Sequence, residues 1–192
     1  EGKPMTSTTI GKIIGKKGRS VKRVLESLLE EGVIVKEGET RGVRYYVSEK
    51  YHKIGKVLDG QLFTKLYKEE ARQKVEKLSV QEAGILYKML PYFHRDTYYL
   101  VENPDACEAD GEILRMLNHQ TLAGLINESE TVVKDAVNQL QSQGILIKFS
   151  TYNKTAILLN PRVVYRSTYY NSYTHEVLGH FDRMKNSGQS FD

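Results

Sequence analysis

Six basic side chains and no acid lie between Ile10 and Leu25: Lys12, Lys16, Lys17, Arg19, Lys22 and Arg23. Such a run carries the chemistry of phosphate binding. Ammonium groups neutralise a polyanion and release its counterions, and a guanidinium can hold two acceptors at once, as on the guanine edge in the major groove. If a helix begins near Arg19, then Arg19 and Arg23 lie four apart and share one face, turned away from Val21, Val24 and Leu25. Arg19, Ser20, Lys22 and Arg23 are therefore candidates for base edges, with Lys16 and Lys17 placed for phosphates. The competing account of any charge run is a solvated helix face.

Other reactive residue types form no constellation. His175 and Glu176 are followed by His180, but a spacing of five turns the two histidines about 140° apart on a helix, too far to share a metal. No Walker loop, Cys/His cluster or nucleophile elbow appears. His52, His94, His119, His175 and His180 read as surface or packing residues. The stretch 165–173, with Tyr165, Tyr169, Tyr170 and Tyr173 beside Arg162 and Arg166, has the composition to stack on single-stranded bases; the plainer account is a covered core edge. The expectation is a binding protein and not an enzyme, with no cofactor and no metal.

An internal repeat supplies the elements that would position the basic run. Residues 9–36 align without a gap on 121–148, with identities at seven of 28 positions, among them Ile14/Ile126, Val21/Val133, Leu28/Leu140 and Gly32/Gly144. In each copy a short helix carries apolar residues three to four apart, such as Leu122, Leu125 and Ile126. A small residue, Gly11 or Ala123, admits close packing on a second helix. Gly15 or Asn127 serves a turn that needs positive φ. The second helix of the second copy has Val133, Ala136, Val137 and Leu140 on one side and stops at Gly144. A hairpin pattern follows each: VIVKEG and VRYYVS around residues 39–42, and ILIKFS and TAILLNP around 152–154. Two helices, a tight turn and a trailing hairpin make a winged helix-turn-helix.

The wing of the first unit adds Lys36, Arg41 and Arg44 as phosphate or minor-groove contacts. In the second unit the reading positions fall on Ser129, Glu130, Thr131, Lys134 and Asp135. Ser129, Thr131 and Lys134 are the candidate contacts there, and the two acids weaken attraction to phosphate. Ser79-Val80-Gln81-Glu82 reads as a capping box, opening a helix with the apolar stripe Val80, Ala83, Leu86, Tyr87 and Leu90. Its counterpart in the first unit would lie upstream of Thr9, where eight residues remain; residues 62–78 or 171–186 could fill that place or form dimer helices. The predicted fold is mainly α with small β-hairpins (α+β), a tandem winged helix-turn-helix. It comprises a first unit over 1–60, a connecting segment over 61–78, a second unit over 79–170 and a C-terminal helix and tail over 171–192.

Bulk composition fits this reading. The 192 residues are 40% hydrophobic and 27% charged, with net charge +4. Residues 1–60 hold 13 Lys/Arg against 8 Asp/Glu and residues 61–160 hold 11 against 13, so the excess is local. A basic patch beside a neutral body is the footprint of a polyanion partner. The single Cys107 allows no internal disulfide, and no membrane span or signal peptide is visible, so the expected compartment is the cytoplasm. The chain opens Glu1-Gly2-Lys3-Pro4 without an initiator Met, as a fragment or trimmed chain would.

Leu78–Leu90 (LSVQEAGILYKML), the helix pair at 121–140 and Leu158-Leu159-Asn160-Pro161 before Tyr165-Arg166 resemble the RepL-like winged-helix replication and maintenance proteins of Gram-positive plasmids and phages. The likeness covers about the C-terminal two-thirds; the acid-rich 96–120 and the extra N-terminal unit depart from it. It implies a role in initiating replication on double-stranded DNA. A transcriptional repressor would use the same contacts. Against both stands Ile14–Lys22 (IGKKGRSVK), which resembles the GxxG loop of an RNA-binding KH domain, though the second copy replaces that loop with Asn127-Glu128-Ser129-Glu130. A homodimer is expected as well: two copies double the base contacts, and Val177, Leu178, Phe181 and Met184 form an apolar stripe that suits an interface.

Overall fold

The computed structural model describes residues 3–39, 42–51, 64–107, 111–151, 154–166 and 171–187. The architecture is α+β, with seven α-helices and small antiparallel two-stranded sheets among the described residues. The chain divides into two compact units, 1–61 and 62–192.

In the first unit Thr6 starts helix α1 (Ser7–Ile13) by accepting the Thr9 N–H on its hydroxyl, which satisfies one of the orphan donors of a helix start. The helix closes through two backbone bonds, Gly15 N–H to Lys12 O and Lys16 N–H to Gly11 O at 3.4 and 2.9 Å, with Gly15 at φ 65°. Helix α2 (Arg19–Glu30) buries Val21 and Leu25. It ends in the same paired bonds, Gly32 N–H to Leu29 O and Val33 N–H to Leu28 O, a left-handed cap that satisfies the last carbonyls. Strands β1 (Ile34–Glu37) and β2 (Arg44–Val47) follow directly as a hairpin, Ile34 opposite Val47 and Glu37 opposite Arg44. Met5 exchanges two backbone bonds with Tyr45, the beginning of a third strand. Gly11 permits the close approach: a Cβ there would lie 2.7 Å from Lys16 O and 3.4 Å from Val21 Cγ2. The core is small, formed by Val21, Leu25 and Ile34 with Ile10, Leu28, Leu29, Val33 and Tyr45 packed on it.

The second unit contains β3 (Lys65–Leu66), α3 (Lys68–Val75), α4 (Val80–Met89), α5 (His119–Ile126), α6 (Glu130–Ser142), β4 (Leu146–Thr151), β5 (Lys154–Leu159), β6 (Val164–Tyr165) and α7 (Ser172–Ser187). From α5 to β5 it repeats the first unit. Asn127 takes the place of Gly15 at φ 55°, and Glu128 N–H donates to Ala123 O as Lys16 does to Gly11. Gly144 and Ile145 close α6 onto Gln141 O and Leu140 O, and β4 pairs with β5 from Leu146 opposite Leu159.

The third strand differs. Met5 aligns with Leu117 and Tyr45 with Ile157, yet in the second unit residues 98–101 lie between them. Leu117 N–H donates to Leu100 O at 3.1 Å, and Leu100 N–H to Ile157 O at 2.8 Å. Residues 98–101, which have no counterpart in the first copy, thus form an inserted strand segment.

The second unit packs further helices around its repeat. Helix α4, opened by the Ser79/Glu82 capping box, lies against α5 and α6. Helix α7 adds Val177 and Phe181 to the core, and its His180 meets Phe149 of β4 edge-on at 6.5 Å between ring centres. From α3, Ala71 and Val75 pack on the same core, while Lys74 Nζ donates to Gln143 O at 2.7 Å.

Three expectations change. The buried side of α4 is Ile85, Leu86 and Met89, whereas Val80 and Tyr87 are exposed; the helix is apolar on more than one side, and packing on α6 chose between them. The stripe in 171–186 is not free: Val177, Leu178 and Phe181 are buried, and Met184 packs on the second unit's core. Val24, expected to face inward, is exposed. The tyrosine stretch follows its plainer account: Tyr165 is buried and stacks on Tyr98, while Arg162 pairs with Asp182 and Arg166 donates to Phe93 O, so these groups hold the core edge. Tyr169 and Tyr170 lie outside the described residues.

Candidate nucleic-acid interface

The basic run folds into the end of α1, the turn and the first half of α2. Lys12, Lys16, Lys17, Arg19, Ser20, Lys22 and Arg23 are all exposed, while Val21 and Leu25 anchor the opposite side of α2. None of the six cations pairs with an acid among the described residues. The start of α2 is unusual electrostatically. Its N-cap is Gly18, which offers no side-chain acceptor, and its first turn holds no acid. The N-terminus of a helix bears partial positive charge from unpaired N–H groups, so Arg19, Lys22 and Arg23 add cations where a helix ordinarily gathers anions. An anion docking there relieves this repulsion.

Gly15 and Gly18 bracket Lys16 and Lys17, both at positive φ, and nothing lies within 4 Å of a Cβ built on either. The turn is therefore open backbone. On the hairpin, Lys36 and Arg44 are exposed, with Arg44 in register with Glu37. Arg41 lies outside the described residues.

At the equivalent place in the second unit the chemistry is that of an ordinary helix start. Ser129 spends its hydroxyl on capping α6, accepting the Val132 N–H, and Glu130 occupies the first turn. Thr131, Lys134 and Asp135 are exposed. Sequence reasoning passed over two neighbours of Lys134. His119, the first residue of α5, is half-buried, and its Nε2 is buried with no hydrogen-bond partner among the described residues. Burial pushes its imidazole pKa down, Lys148 and Lys134 push the same way, and Glu130 opposes them. Lys148 is the repeat partner of Lys36, an identity that could have marked it.

His94 is buried, and because Nδ1 accepts the Thr97 N–H, Nε2 carries the proton donated to Ala106 O at 2.9 Å. Cys107 is half-buried and unpaired by any disulfide. Among the described residues no group of three or more His, Cys, Asp or Glu is arranged to hold a metal, and no helix is long and apolar enough to cross a membrane. No protein-family model, curated protein or solved structure matches the chain.

Proposed function

We propose that the chain binds double-stranded DNA as a tandem winged helix-turn-helix protein, with α2 as the main recognition helix and β1–β2 as its wing. The observation that carries this reading is the start of α2: exposed, unpaired cations on a helix terminus with neither an acid nor a side-chain cap. Support comes also from the order of elements, since a helix pair followed at once by a hairpin recurs in both units with the same turn and cap bonds. In such a module the second helix enters the major groove and its N-terminal residues meet base edges. Arg19 and Arg23 then read bases, Lys16 and Lys17 hold phosphates, and Lys36, Arg41 and Arg44 reach the adjoining backbone. Ser129, Thr131 and Lys134 give the second unit a weaker contact, opposed by the acids Glu130 and Asp135.

One recognition helix discriminates few base pairs, each worth about 1–3 kcal/mol. Site selection therefore calls on a second contributor, whether α6 of the same chain or a second copy on a repeated site. Replication initiation or plasmid maintenance is the role that the RepL-like resemblance implies. A repressor differs only in where its operator lies, and mapping the bound sites on a genome separates an origin from a promoter. The DNA reading itself is tested by anisotropy with a labelled duplex across a salt series. A steep fall of log K with log salt, reduced when Lys16 and Lys17 are both replaced by alanine, is expected.

A second reading has one observation in its favour. Open backbone at Gly15 and Gly18 around two lysines is what a GxxG clamp on single-stranded RNA requires. Gly18→Asp distinguishes the two: it abolishes a backbone clamp but only weakens duplex binding by one added charge. Single-stranded RNA that displaces the protein from every duplex tested would decide for the clamp.

A further inference from the structure

The two copies of the repeat differ most in what covers the groove between their helices. In the first unit Ile14 is 41% exposed and Val24 52%; their partners Ile126 and Ala136 are 6% and 3% exposed. Ile10 and Leu28 are half-buried where Leu122 and Leu140 are fully buried. The difference is α4, which lies against α5 and α6. Ile10 on α1 and Ile14 at its C-cap, and Val24 and Leu28 on α2, each stand four apart, the spacing that receives a helix laid across the pair.

Charge at the rim says what kind of helix fits. In the second unit Lys88 of α4 donates to Ile126 O at 3.1 Å and pairs with Glu128 at 2.5 Å. The repeat puts Lys16 in the place of Glu128, flanked by Lys12 and Lys17. A covering helix with lysine at that point meets like charge, and one with a carboxylate finds a partner. Nor do the amphipathic helices among the described residues offer a stripe: α4 and α7 bury theirs in the second unit, and α3 packs Ala71 and Val75 there.

We propose that the groove lined by Ile10, Ile14, Val24 and Leu28 docks an amphipathic helix of a partner protein, with an acidic side chain beside its apolar stripe. The site shares the rim lysine Lys16 with the DNA reading but not the base-reading arginines. On α2, Val24 and Leu28 lie about 100° or more around the axis from Arg19 and Arg23, so a docked helix leaves those arginines open.

The probe is a peptide of residues 79–91, stapled on its solvent side, made as the native sequence and with Lys88→Glu. Titrated into the full chain, the Lys88→Glu peptide should bind about fivefold more tightly, the effect of exchanging an exposed like-charge contact for an ion pair. In the Lys16→Glu chain, altered only at an exposed position, the preference should reverse. Val24→Asp should remove binding of both peptides. Equal binding of the two peptides, no binding of either, or an unchanged preference in Lys16→Glu overturns the proposal. It is overturned also if the free chain sediments as a dimer that Val24→Asp dissociates, because the occupant is then a second copy.

Discussion

Arginine at positions 19 and 23 follows from a conflict that the fold leaves standing. Cations at the start of α2 repel its dipole and find no acid among the described residues, so their removal costs the fold little and should cost binding much. The double change Arg19→Ala, Arg23→Ala is expected to weaken duplex affinity at least tenfold, at about 1–3 kcal/mol per base contact. Thr131→Ala with Lys134→Ala should do less, and equal losses in the same anisotropy assay would reverse the ranking of the two units. His119 makes a prediction of the opposite kind, about stability. Its pKa is held below the ordinary 6.5 by burial, then by Lys148 and Lys134. Between that lowered value and 6.5 the unfolded chain binds more protons than the folded one, so stability rises with pH there and is lost as pH falls below 6.5. Urea titrations at a series of pH values should show His119→Gln flattening this dependence; an unchanged slope would remove His119 as its source.

At the scale of elements, the packing of two helices across a tight turn rests on a few backbone positions used twice. Asn127 sits at φ 55° where the first copy has glycine, a conformation that costs most L-residues about 1–2 kcal/mol. Asn127→Gly should leave the denaturation midpoint nearly unchanged, while Asn127→Ala lowers the stability of the second unit by about 1 kcal/mol. If both behave alike, the turn is not what holds α5 against α6. These positions were legible in the sequence because glycine and asparagine at one place in two aligned copies have one shared property. The buried side of α4 was not: Val80, Ala83, Ile85, Leu86, Tyr87 and Met89 furnish apolar residues around much of the helix, and only contact with α6 selects Ile85, Leu86 and Met89.

For the whole molecule, unequal cores predict unequal stability. The first unit buries Val21, Leu25 and Ile34, and the second a cluster running from Ile85 to Phe181. Apolar burial is the main favourable term in folding, so the units should not melt together. Amides of α2 should exchange with solvent before those of α6, and thermal unfolding should show two transitions. Phe181→Ala, removing a ring from the larger core, should lower only the later transition, by about 3–5 kcal/mol. A single transition shifted as a whole would mean that the units fold as one.

The sequence by itself determined the local design of each unit. Helix period, turn glycines, caps and hairpins depend on neighbours within a few residues, and the repeat reads those constraints twice. It also located the basic run, since exposed charge needs no tertiary partner to be recognised. What covers each unit was decided only in three dimensions. The stripe Val177, Leu178, Phe181 and Met184 reads equally well as a dimer face or as core; in the fold it is core. Residues 98–101 read as part of an irregular acidic stretch and became a strand edge between Leu117 and Ile157. Val24 carries the same apolar type as its buried neighbours yet is exposed, while its repeat partner Ala136 is buried in the unit where α4 lies against α6. Hydrophobic burial is non-directional, so an apolar side chain fixes that a surface wants cover and leaves the choice of cover to the rest of the molecule.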